Sequence, residues 1–90
     1  MSQAHVDPAE LRRFAQDLHR FNHELHSLMT GLNGRLHGLE ASWRDQEHRQ
    51  FVESFQQTAK ALTAFLDDSQ AHVQFLNKKA SLIEEYLRRR

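Results

Sequence analysis

Three histidines, His19, His23 and His26, stand at i, i+4 and i+7, a spacing that sets imidazoles on one face of a helix. An i, i+4 pair of this kind can chelate zinc or nickel. A closed site needs more ligands, yet the chain has no cysteine and no carboxylate fixed nearby in sequence. In the heptad frame set by Leu18 and Phe21 the three rings fall at b, f and b, away from the apolar seam. They are read as a solvated polar face, and no metal or cofactor is assigned. Imidazole titrates nearer neutrality than any other side chain, so mild acidification adds positive charge to a chain with seven histidines. The acidic pairs Asp67-Asp68 and Glu84-Glu85 are adjacent, so they diverge around a helix instead of converging on a substrate. Ser27, Ser42, Ser54, Ser69 and Ser81 lack the turn context of an activated nucleophile. No catalytic residue emerges, and the chain reads as non-enzymatic. Lys78-Lys79 and Arg88-Arg89-Arg90 can meet phosphate, but twelve basic and twelve acidic residues cancel, and no stacking or groove-reading pattern accompanies them. Nucleic acid is not an expected partner; the terminal arginines suit the negative end of a helix dipole.

What must position these residues is helical. Asp7-Pro8-Ala9-Glu10 supplies an N-cap, a proline at the first helical position and an acidic residue at N3, so a helix starts at residue 8. Leu11, Phe14, Leu18, Phe21, Leu25, Leu28 and Leu32 then repeat as a heptad a/d seam. Leu36 and Leu39 continue it after two four-residue steps in a row, a stutter. Gly31, Gly34 and Gly38 weaken the end of this helix, and two readings stand: a fraying terminus that stops near Gly38 to Glu40, or close approach of a neighbouring helix.

Trp43 sits near the middle of the 90 residues and marks a bend. It is either a plug at the end of a hairpin or a recognition residue at its tip. Beyond it no Gly or Pro occurs, and Ser42 or Asp45 can cap a second helix. Phe51, Phe55, Thr58, Leu62, Phe65, Ser69, Val73, Leu76, Ala80, Ile83 and Leu87 form its core positions, with a second stutter at Ser69. Val52, Ala59 and Leu66 occupy adjacent e positions, as do Ala15, Met29 and Leu36 on the first helix. An a/d/e stripe is wider than a two-stranded seam requires, and a four-helix bundle buries all of it. The expected fold is therefore all-α: one domain over residues 1–90, an antiparallel hairpin of helices at about 8–39 and 46–88, dimerising into a four-helix bundle. Leu18, Phe21, Leu25, Leu28, Phe51, Phe55, Leu62, Phe65, Leu66 and Leu76 are its expected core. The second helix is the longer by roughly 16 Å at 1.5 Å per residue, so residues beyond about Lys79 should overhang. Ile83, Tyr86 and Leu87 would then present an apolar docking patch.

Composition agrees with a partner-dependent helical protein. Apolar residues make up 39% of the chain and mean hydropathy is −0.75, thin for a self-sufficient core. Met1-Ser2-Gln3-Ala4-His5 has no signal-peptide character, and no run of eighteen apolar residues occurs, so neither a cleaved signal nor membrane insertion is expected. A membrane-surface helix is disfavoured because the apolar residues have bundle spacing and the polar faces are not notably basic.

The chain length, the two helices, the Leu39 to Trp43 step and the Phe51/Phe55 pair opening the second helix together resemble the WXG-motif family of small ESAT-like proteins. Trp43-Arg44-Asp45 stands where that family has Trp-x-Gly, and Arg90 stands four after Tyr86, where its export signal places an acidic residue. The resemblance implies a helical hairpin that pairs with itself or a WXG-like paralogue. It implies a secreted substrate, carrier or adaptor of type VII bacterial secretion, made in the cytoplasm and exported without a cleaved signal peptide. A secretion ATPase or a cognate toxin is a further implied partner. Trp43 is its implied recognition residue, and Asp45 at the bend and the overhanging Ile83, Tyr86 and Leu87 are expected to join it in partner recognition. The competing reading is a structural or regulatory coiled-coil subunit unrelated to secretion.

Overall fold

The computed structural model describes residues 6–89; residues 1–5, whose sequence lacks signal-peptide character, and Arg90, grouped above with the basic terminus, lie outside them. Helix α1, Pro8–Gly38, begins at its sequence signal: Asp7 is extended, and its Oδ1 accepts from the Ala9 N–H at 2.9 Å. A single 3-10 turn, Leu39–Ala41, follows, and α2 runs Gln46–Arg88. Asp45 caps α2, its Oδ1 accepting from the His48 N–H at 3.0 Å. Partners such as Asn22 with Ser69 and Arg12 with Glu84 show that the helices pack antiparallel. The result is an all-α hairpin measuring 68 × 24 × 15 Å, one helix thick in its shortest dimension.

The seam differs from the expected one. Apart from Pro8 at the helix start and Arg12 beside the seam, the buried or half-buried positions on α1 are Leu11, Ala15, Leu18, Asn22, Leu25, Met29 and Leu36. On α2 they are His48, Val52, Phe55, Ala59, Leu66, Ser69, Val73, Leu76, Ala80 and Ile83, with Asn77 and Glu84 half-buried beside them. With the more exposed Leu32 and Leu62 included, both series step by four and three without interruption. No stutter exists: the apparent ones arise from passing between two parallel apolar stripes. The e residues expected to wait for a partner are turned inward with the a residues, and the d residues Phe14, Phe21, Leu28, Phe51 and Phe65 are turned out. Side-chain size gives the reason. Ala15, Ala80 and Ser69, at 1%, 0% and 2% exposure, let the helix axes approach, whereas a row of phenylalanines between two helices would hold them apart.

The overhang also starts later than expected. Arg12 donates through Nε to Glu84 Oε2 at 3.0 Å, and through Nη2 to Glu84 Oε1 and Ser81 Oγ at 2.8 Å each. Ala80 is fully buried and Ile83 half-buried, so α1 covers α2 well past Lys79. The extra length of α2 lies at its start, where His48 and Phe51 pack on Trp43.

Candidate interaction surfaces

The bend is built from hydrogen bonds and rings. Ser42 and Trp43 both donate their backbone N–H to the Leu39 carbonyl, at 3.0 and 2.8 Å, and the Arg44 Nε donates to the Glu40 carbonyl at 2.8 Å. These bonds satisfy carbonyls of the 3-10 turn that follows α1. The half-buried Trp43 ring lies 5.0 Å from His48, edge to face, and 5.8 Å from Phe51, which in turn lies 5.9 Å from Phe55. Trp43 is thus packed at the tip and still presents surface. Asp45 adopts φ −83° and ψ −173°, ordinary extended backbone, and no described residue has positive φ. The position therefore requires no glycine, which explains how Trp43-Arg44-Asp45 forms the turn. Of the two candidate caps, Asp45 holds the first turn of α2. The space a Cβ would take at Gly34 and Gly38 has no neighbour within 4 Å, and at Gly31 only the Arg35 guanidinium at 3.9 Å. Within the hairpin no helix makes a close approach there.

One broad face is apolar. Phe14, Phe21, Leu28 and Leu32 line it from α1, Leu39 from the 3-10 turn, and Phe51, Leu62, Phe65 and Phe75 from α2, all exposed. Phe21 and Phe65 meet edge to face at 6.3 Å across the seam. Two shallow depressions sit on this face, one near the bend between Leu32, Leu36, Leu39, Phe51 and Phe55, the other around Phe14, Leu18, Phe65, Phe75 and Leu76. Of the expected bundle core, Leu66 is buried, Leu18, Leu25, Phe55 and Leu76 are half-buried, and Phe21, Leu28, Phe51, Leu62 and Phe65 are open in the single chain. A polar face carries His19, His23 and His26 opposite Asp67, Gln70 and Gln74, and among the described residues no three metal-ligating side chains converge.

The expected recognition residues do not form one cluster. Trp43 and Asp45 are at the bend; Tyr86 and Leu87 are exposed at the other end of the rod, and Ile83 is half-buried in the seam. Arg12 holds the Glu84 carboxyl below its ordinary value through its hydrogen bonds, and burial opposes this. Sequence reasoning missed His48, 6% exposed, and the buried Asn22. Both lie on the four-three spacing of the seam, a signal hidden by their polar type. Leu82, at 55% exposure next to the clasp, was missed as an exposed apolar residue.

Among the described residues no helix is long and apolar enough to cross a membrane. No curated protein matches the chain in sequence. Solved structures do match in shape. A mutant form of the secreted protein EsxB from Bacillus anthracis str. Sterne is 23% identical, with a TM-score of 0.81 over 93% of this chain and 97% of its own. The selenomethionine-labelled form of EsxB is 22% identical, with a TM-score of 0.83 over 96% and 98%. The family model for proteins of 100 residues with WXG matches residues 3–86, the two helices and the Trp43 bend between them, and the chain therefore belongs to the WXG100 family.

Proposed function

We propose that this protein is a non-enzymatic, secretion-associated member of its family, serving as a substrate, carrier or adaptor through helical contacts. Family membership and the hairpin shared with a secreted protein support the secretion link. The observation that carries the contact mode is the row of exposed phenylalanines on a plate 15 Å thick. The accessible surface is 7509 Å², against about 5,500 Å² for a compact monomer of this mass. That excess, about 2,000 Å² on one chain, is more than the roughly 800 Å² that each partner buries in a standard-size interface. The apolar face is the surface for a second copy or a WXG-like paralogue, which completes a four-helix bundle. Trp43 at the bend, and Tyr86 and Leu87 on the arm, remain outside that face as contacts for an export ATPase or a cognate toxin.

Two measurements test the reading. Light scattering after size exclusion is expected to give twice the 10.6 kDa of one chain, alone or with a co-expressed paralogue. Phe21→Lys with Phe65→Lys should return the monomer with its helices intact. Tagged protein recovered from its native host should carry a secretion component, and Trp43→Ala should remove that component with little change in melting temperature. Recovery of partners from some other process would favour a coiled-coil subunit unrelated to secretion.

A further inference from the structure

Both halves of the hairpin seam are unbroken heptads, so sliding one helix by seven residues again sets mostly apolar residues against apolar ones. At the bend the slip is resisted by the 3-10 turn and the Trp43 ring cluster, whereas Gly31, Gly34 and Gly38 make the end of α1 easy to remodel and no close packing pins Gly34 or Gly38. In the middle of the seam one layer is polar. The Ser69 hydroxyl donates to Asn22 Oδ1 at 2.7 Å, with both side chains 2% exposed. We propose that the Asn22–Ser69 layer is a register lock that selects one pairing of α1 with α2 from its heptad-shifted alternatives.

A slip of seven residues sets Asn22 against Leu62 or Leu76 and Ser69 against Ala15 or Met29. Either slip strands a buried amide and a hydroxyl without partners, a cost absent from the native pairing. The layer is not arranged for greatest stability, since the buried Asn22 Nδ2 finds no partner among the described residues. A polar layer that discriminates between registers without maximising stability is how buried asparagine acts in coiled coils. The same slip would also carry Glu84 away from Arg12, in one direction setting Asn77 there. Register matters to the exterior because the apolar face is composite: Phe21 lies beside Phe65 only in this alignment.

The chain has no cysteine, so spin labels can be placed at Gln16→Cys and Gln57→Cys, exposed positions well apart along the rod. Labelled protein is diluted in an excess of unlabelled protein, so that pulsed electron resonance reads distances within one chain. The native layer should give one distance. Asn22→Val with Ser69→Ala should keep its helical signal and add a second population displaced by about 10 Å, seven residues at 1.5 Å each. Asn22→Ser with Ser69→Asn, which keeps a polar layer with its sides exchanged, should restore one population. A single distance at the native value in the apolar variant overturns the lock. Loss of helical signal in that variant overturns it also, since the pair would then be an ordinary stabilising contact.

Discussion

Asp45 occupies the position where the family motif has glycine, and its geometry shows why the exchange is tolerated: the backbone is extended, and the carboxylate caps α2. Asp45→Ala is expected to lower stability by about 1 kcal/mol, measured by urea denaturation. Asp45→Gly, which recreates the family motif, should cost only a few tenths as much as a weaker cap and should gain nothing in turn geometry. At the far end of the rod, Glu84 has its carboxyl lowered chiefly by hydrogen bonds from Arg12. A carboxyl lowered in the fold contributes stability that is fully present above its unfolded value of about 4.3 and is lost as pH falls through the folded value. Both side chains remain 38% exposed, so solvent screens the pair and its contribution stays small. Glu84→Gln should therefore flatten part of the stability loss on the acid side of about pH 4.3 and leave that slope unchanged at neutral pH. Denaturation midpoints taken across that range decide it. Capping residues such as Asp7 and Asp45 were legible in the sequence because they act on their own few neighbours. Asn22, His48 and Arg12 were not, because their partners lie across the seam or the bend.

At the scale of the helices, small residues decide which stripe turns inward. The sequence marks two long helices and their ends closely, since caps, glycines and a uniform 3.6-residue period are local signals. The a/d reading turned the wrong stripe inward, because Leu18, Leu25 and Phe55 belong to both stripes and periodicity does not rank Phe21 against Asn22. Packing does so, through the separation of the helix axes. Ala80→Leu is expected to cost about 1–3 kcal/mol by overpacking a position with no free space. Leu66→Ala should cost about 2–5 kcal/mol through lost burial. Lys60→Ala, on an exposed face, should be nearly neutral. A small effect at Ala80 would show that the helices are not in close contact there, and the seam assignment would fail with it.

For the molecule as a whole, thickness governs what remains for partners. A plate one helix thick covers one stripe per helix, leaving the phenylalanine face open along the rod and a short arm beyond the Arg12–Glu84 clasp. The length of that arm was only partly legible: counting residues gave the mismatch between the helices, but where the excess lies depends on the register, which Asn22, Ser69 and the clasp report. Residues 80–84 are consequently part of the seam, and a chain cut after Lys79 would lose Ala80, Ile83 and the clasp together, confusing folding with recognition. Truncation after Glu85 separates them. It leaves every buried position and Glu84 in place while removing Tyr86 and Leu87, at 69% and 46% exposure. The shortened chain is expected to melt within a few degrees of the full one and to keep its oligomeric mass. It should lose the export component or cognate protein that the full chain carries from its native host. Unchanged recovery of that partner would place recognition at the bend alone, and a broken dimer would place the arm within the bundle.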